Sequence, residues 1–243
     1  MGNSGRFRKN IHRGVSILSA HQPNFIPWAG YFCKITQSEF FSFSDDVIYS
    51  KQTFMNSVTV CAEHDREFKW TVPVVRKLGS RLFEKRICHD DRTFLKCRSA
   101  FLFAHRKSKF LFEAEEVIDA LVVLFQQNQY LADFNIAVIS HLCRVLNIEL
   151  DYVRGSELQL QDFCANERIL KRAKILGING YLHGQGAEGY QDNDFLVLNG
   201  MKLYEVNYEA LDFFGKDLKF SILHLIAKFG IKQVGAVINK CSL

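Results

Sequence analysis

The segment Ser19–Trp28, Ser-Ala-His-Gln-Pro-Asn-Phe-Ile-Pro-Trp, constrains this chain more than any other stretch. It follows the apolar run Val15-Ser-Ile-Leu18 and holds two of the chain's three prolines, Pro23 and Pro27. A buried strand that ends in a His-Gln pair on a proline-stiffened turn reads as the floor of a site. A plain structural turn would use Gly, Asn or Asp instead. Histidine changes charge near neutral pH, so the position of His21 has chemical consequences.

Around that segment the chain has room for a substantial core. Its 243 residues make one large domain or two small ones, and 48% of them are hydrophobic. Twenty-two phenylalanines predict an aromatic-rich core. The net charge of +5 lies partly in the first fourteen residues, at Arg6, Arg8, Lys9 and Arg13. The rest is mixed in sign, without the concentrated basic face that nucleic-acid binding favours. A modestly basic cleft for a phosphorylated small molecule fits at least as well. The seven cysteines form no Cys-x-x-Cys pair, so reduced, mostly buried thiols are expected rather than a disulfide framework or zinc ribbon. No apolar run approaches the ~18 residues of a membrane span. The polar, basic N-terminus lacks the apolar stretch of a secretory signal. The expectation is a cytoplasmic protein.

Hydrophobic periodicity lays out the elements. Residues 1–13 read as a flexible tail and 14–243 as one domain. Strands are expected at about 15–20, 39–43, 84–89, 149–153 and 180–182, with further extended runs at 195–198 and 202–206. Residues 56–62 and 66–74 read as a hairpin turning at Glu63-His64-Asp65. Helices are expected at 29–37, 93–107, 110–127 and 130–147. Another, capped by Asn166, ends at Gly177, and Ser221 starts the last helical stretch. The alternation predicts an α/β fold, a mixed sheet with flanking helices and a central helical insert at about 93–147.

Three polar clusters each follow an apolar run. The first is His21, Gln22 and Asn24. The second is Asp45 and Asp46, followed by Tyr49, Lys51 and Asn56. The third is His183, Gly184, Gln185 and Gly186, with Glu188 and Tyr190. Ligands of α/β proteins collect beyond the carboxyl ends of strands, so the clusters converge on one cleft if their strands are parallel neighbours. His21 reads as a general base, as a substrate anchor, or as a hydrogen-bonded core histidine. Asp45 or Asp46 reads as a partner for an imidazolium, or as a turn residue. Lys51 suits a phosphate or plain solvent. The glycines beside His183 permit close backbone approach to a ligand, or only a turn. No His-x-x-x-His or Glu-x-x-His spacing supports a metal site. His224, inside Ile222-Leu-His-Leu-Ile226, reads as structural.

At these residues the chain resembles the WbqC-like family. The resemblance opens at His21-Gln-Pro-Asn-Phe-Ile-Pro-Trp-Ala-Gly-Tyr-Phe-Cys-Lys and continues through Asp45-Asp46-Val47, Tyr49, Lys51 and Asn56 to Trp70-Thr-Val-Pro-Val74. Tyr181-Leu-His-Gly184, Gly186-Ala187 and Tyr190 resemble a Tyr-Leu-Ser-Gly, Gly-Ala, Tyr-Leu-Asp stretch, and Ser221-Ile-Leu223 with Gly230 a terminal Ser-Ile-Leu-Asp and Gly. The chain departs at Ser57, where the pattern has Arg, at His183 for Ser, at Gln191 for Leu and at His224 for Asp. The resemblance implies a role in bacterial surface polysaccharide, O-antigen or lipopolysaccharide assembly. The reaction it suggests is acyl or aminoacyl transfer to the amine of a nucleotide-linked amino sugar. The catalytic candidates are then His21, Asp45, Asp46 and His183. Substrate contacts are expected from Gln22, Asn24, Trp28, Tyr49, Lys51, Asn56, Gly184, Gln185 and Tyr190. The donor would be an acyl thioester or activated amino acid, with an acyl or peptidyl carrier protein as a partner. A non-catalytic sugar-nucleotide or carrier-binding protein and a metal-dependent hydrolase or lyase are the alternatives.

Overall fold

A computed structural model describes residues 16–51, 53–63, 66–185 and 191–242. The tail at 1–13, His64-Asp65 of the hairpin turn, Gly186, Glu188 and Tyr190 lie outside the described residues.

The elements run β1 (Ile17–His21), α1 (Ala29–Thr36), β2 (Phe40–Phe43), β3 (Ser57–Glu63), β4 (Arg66–Thr71), α2 (Asp91–Ala104), α3 (Leu111–Gln127), α4 (Leu131–Val145), β5 (Tyr152–Arg154), α5 (Ala165–Leu176), β6 (Gly180–His183), α6 (Asn193–Leu198), β7 (Lys202–Glu205), a 3-10 stretch (Glu209–Lys219), α7 (Ile222–Phe229) and α8 (Ile231–Asn239). Five strands form one sheet in the order β5-β2-β1-β6-β7. Every pairing in it is parallel. The antiparallel pairing expected of a mixed sheet is confined to the β3–β4 hairpin, which forms a sheet of its own. The fold class is α/β.

Parallel strands need helical crossovers, and these cover both faces of the sheet. On one face Leu18 and Tyr181 pack with Ile169 and Ala173 of α5 and Leu196 of α6. On the other, Ile17, Phe41, Phe43 and Leu182 join the main core with Phe32 of α1 and the helices α2 to α4. That helical block is tied to the hairpin by Phe94 against Trp70, ring centroids 5.0 Å apart, and to the Ser19–Trp28 segment by Phe134 against Phe25 at 5.7 Å. Asn135 of α4 donates its amide to the carbonyls of Pro23 at 2.8 Å and Met55 at 2.7 Å. The block therefore shares one core with the sheet.

Some local expectations change. Residues 195–198 are helical in α6, because the Asp192 carboxylate accepts from Phe195 N at 2.9 Å and caps that helix. The segment expected as a strand at 84–89 holds the end of a 3-10 turn (Leu82–Glu84) and isolated bridges, Val74 to Ile87 and Arg86 to Tyr130. Helix α5 is capped at Cys164, where Glu167 accepts from the Cys164 N–H at 3.0 Å. Asn166 instead accepts from Asp192 N at 3.1 Å. Gly177 ends α5 with φ 68°, a left-handed cap that glycine adopts without strain. Among the described residues no single helix is long and apolar enough to cross a membrane, and α7 and α8 bend by 119° between them.

Candidate functional site

Strand order places the carboxyl ends of β2, β1 and β6 side by side, so the three polar clusters leave the sheet at one edge. They do not point the same way. Ser19 pairs with Leu182, and partners in a ladder share a face while successive residues alternate. His21 therefore projects with Ser19, Leu182 and its own partner Phe43, whereas His183 projects with Tyr181 and its partner Glu205 on the opposite face.

The His21 ring is partly buried. A carbonyl can only accept, so Nδ1 donates to Gln22 O, 2.9 Å away. The Tyr31 hydroxyl donates to the same oxygen at 3.0 Å, and the Tyr31 ring meets the imidazole edge-on at 5.0 Å. Burial, and then the Lys34 ammonium, push the His21 pKa down to about 4, against the opposing backbone bond. At neutral pH His21 is thus an uncharged imidazole with its proton on Nδ1. Its Nε2 has no protein partner among the described residues.

Lys34 escaped the sequence-based choice of site residues, although it closes the quoted His21-to-Lys34 motif. It is buried on α1, donates to Ala20 O at 3.0 Å, and has no carboxylate partner among the described residues. Burial lowers its pKa to about 8. The available signal was a lysine set among Ala29, Phe32, Cys33 and Ile35, an otherwise apolar run.

Asp45 and Asp46 are fully buried and already paired. Asp45 accepts from Arg154 Nε at 2.8 Å, from Ser156 N at 2.8 Å and from Ser156 Oγ at 2.7 Å. Asp46 accepts from Arg172 at 3.0 Å and lies 3.5 Å from Arg168. Arg172 also donates to Ser44 Oγ at 3.0 Å. These bonds lock the end of β2 to β5 and α5, and the imidazole contact of His21 goes to Gln22 rather than to either carboxylate. Lys51 is exposed, Tyr49 carries the Lys85 ammonium 4.6 Å above its ring, and Asn56 donates to Val72 O at 3.0 Å. No hydrogen bond or ring contact joins these three to His21 or His183 among the described residues. Nor, among those residues, do three or more His, Cys, Asp or Glu side chains come together as metal ligands.

The remaining predicted contacts gather around Trp28. Gly30, the second residue of α1, lies beneath the indole, and any Cβ there would collide with the ring. Glycine thus lets Trp28 fold back to meet Tyr208, ring centroids 5.6 Å apart. Both rings line a cavity of about 620 Å³ with Gln185, Glu205, Glu209 and Asp212, at the ends of β6 and β7. His183, the ladder partner of Glu205, has a buried Nδ1 with no partner among the described residues. Ile26, fully buried, takes φ 42°. A β-branched residue there stores on the order of 1–3 kcal/mol of strain. Phe25 N bonded to Phe54 O at 2.8 Å and Ile222 N to Pro27 O at 3.0 Å hold that loop in place.

Fold and edge define a parallel α/β protein with a polar, aromatic face at the carboxyl ends of its central strands, where ligands of such sheets collect. The chain matches the WbqC-like protein family across residues 22–228, and it belongs to that family. Neither a curated protein nor a solved structure matches it.

Proposed function

We propose that this protein works in the cytoplasm on bacterial surface polysaccharide, of the O-antigen or lipopolysaccharide kind. In this reading it transfers an acyl or aminoacyl group to the amine of a nucleotide-linked amino sugar. One observation carries the reading: Trp28 and Tyr208 stand beside Gln185 and the carboxylates of Glu205, Glu209 and Asp212 in one open cavity. Aromatic faces suit the C–H face of a sugar ring. Amide and carboxylate oxygens accept its hydroxyls, and clustered acids attract its ammonium. Membership in the WbqC-like family supports the polysaccharide setting.

The amine, once free of its ammonium proton, forms the new N–C bond. The carbonyl oxygen takes the electron pair, and backbone N–H groups near Gly184 are the oxyanion donors. His21 Nε2 then accepts the proton of the adduct nitrogen. An imidazole of pKa about 4 is too weak to deprotonate a free sugar ammonium, but it suits the far more acidic adduct. Its conjugate acid is correspondingly strong and returns the proton to the leaving sulfur or oxygen as that bond breaks. His183, the strand partner of Glu205, contacts the sugar from the Glu205 side, and the amine extends over the strand ends toward His21. The donor is an acyl thioester or an activated amino acid, presented free or on a carrier protein.

The weak basicity of His21 also favours a second reading, a binding protein for the sugar nucleotide without turnover. Calorimetry tests what the readings share: a nucleotide amino sugar binds more tightly than its N-acetylated counterpart, and Asp212→Asn narrows the gap. Equal affinities for both sugars would remove the support that the acidic cavity gives.

A further inference from the structure

We propose that a second cavity, between the Asn24–Trp28 loop, the β3–β4 hairpin and the start of α7, binds the nucleobase of a nucleotide ligand. The cavity measures about 310 Å³, and Phe25, Trp28, Phe54 and Phe220 contribute to its walls. Two polar side chains on its lining, Asn24 and Ser221, are 7% and 0% exposed, and Asn24 Oδ1 and Ser221 Oγ have no hydrogen-bond partner among the described residues.

Two such orphans from segments almost 200 positions apart meet on one lining, where a single ligand can answer both. Each unsatisfied buried group costs about 1–3 kcal/mol. Ser221 occupies the cap position of α7, yet its hydroxyl makes no capping bond. Its backbone is fixed instead, Ser221 N to Thr59 O at 3.1 Å. A nucleobase matches both halves of this lining. Its flat π-face stacks on aromatic walls. Its edge carries neighbouring donors and acceptors of the kind a carboxamide reads in pairs. An aliphatic acyl chain would fill the walls and leave Asn24 and Ser221 unanswered.

The position of the cavity supports the same ligand. Trp28 also lines the cavity that holds Gln185 and Glu205, so one indole separates the two spaces. A nucleotide sugar would place its base on one side and its sugar on the other. That connection rests on the proposed function, whereas base binding itself does not.

Titration with uridine, cytidine, adenosine, guanosine and thymidine tests the site. The chain has only two tryptophans, and Trp70 is fully buried, so base stacking reads out as quenching of Trp28 fluorescence. At least one nucleoside quenches saturably. Ser221→Ala and Asn24→Ala weaken it by about tenfold or more, the worth of a lost hydrogen bond. Asn24→Asp, nearly the same shape, replaces the amide donor with an acceptor and reorders the preference among bases. Trp28→Phe abolishes the signal while calorimetric binding persists. No binding by any of the five at millimolar concentration, or equal affinity in wild type and all Asn24 and Ser221 variants, overturns the proposal. Nucleoside binding without any group transfer would leave this site standing and count against the transferase. Transfer with no nucleoside binding would do the reverse.

Discussion

His21 and His183 lie on neighbouring parallel strands one residue out of phase, and so leave the same edge of the sheet on opposite faces. In the proposed transferase, two histidines so arranged take separate tasks. His21→Ala lowers kcat by about 10²–10⁴ with KM nearly unchanged, as loss of a proton relay does. His183→Ala raises KM and leaves kcat close to wild type. In a double mutant the two free-energy changes add within about 0.5 kcal/mol. Strong coupling in steady-state kinetics would mean that the rings act on one atom.

Asp46 and Arg172 tie the end of β2 to α5. Both are buried and bonded at 3.0 Å. Removing Arg172 leaves the buried Asp46 carboxylate only the longer Arg168 contact at 3.5 Å, a loss that approaches the ~3–5 kcal/mol of a broken buried pair. Arg172→Ala therefore shifts the urea midpoint downward by that stability, while ligand affinity of the fraction still folded stays near wild type. Unchanged denaturation would contradict the role given to the pair.

Stability depends on pH through the depressed histidines. Burial leads in lowering both His21 and His224 to about 4, against 6.5 when unfolded. The unfolded chain then binds more protons between these values, so stability is full above pH ~6.5 and falls as pH drops toward ~4. At ~1.4 kcal/mol per unit, each contributes on the order of 3 kcal/mol. Denaturant titrations across that window record the decline. Lys34→Met, which removes the neighbouring ammonium, raises the His21 pKa in an NMR titration. A His21 pKa that does not move would mean that burial alone sets it.

Gly30→Ala displaces the Trp28 indole, because the new methyl would occupy the ring's position. The expected signs are a shifted emission spectrum and weaker sugar-nucleotide binding, with secondary structure by circular dichroism unchanged. Wild-type emission and affinity would show that the ring does not rest on Gly30.

Periodicity made much of this fold legible. The runs at 15–20 and 39–43 and the three middle helices have clear periods, and the structure matches them within a few residues. Residues 195–198 misled because an all-apolar tetrapeptide has no period, and the deciding contact is the Asp192 cap. The candidate site was half legible. His21, Trp28 and Gln185 stand at the expected edge, and motif and strand end suffice to find them. The partners of Asp45 and Asp46 lie more than 100 positions away, at Arg154 and Arg172, and no local pattern reveals such pairs. The opposite facing of His21 and His183 depends on register between strands about 160 residues apart, which a single sequence does not carry.

The proposed reaction is group transfer to a sugar amine. Its most direct measurement is mass spectrometry of a nucleotide amino sugar incubated with the protein and a panel of acyl thioesters and activated amino acids. The expected result is that the amine-bearing sugar gains the mass of one acyl or aminoacyl group, that its N-acetylated counterpart gains none, and that His21→Ala slows the gain. A sugar nucleotide that binds yet gains no mass with any donor would contradict it.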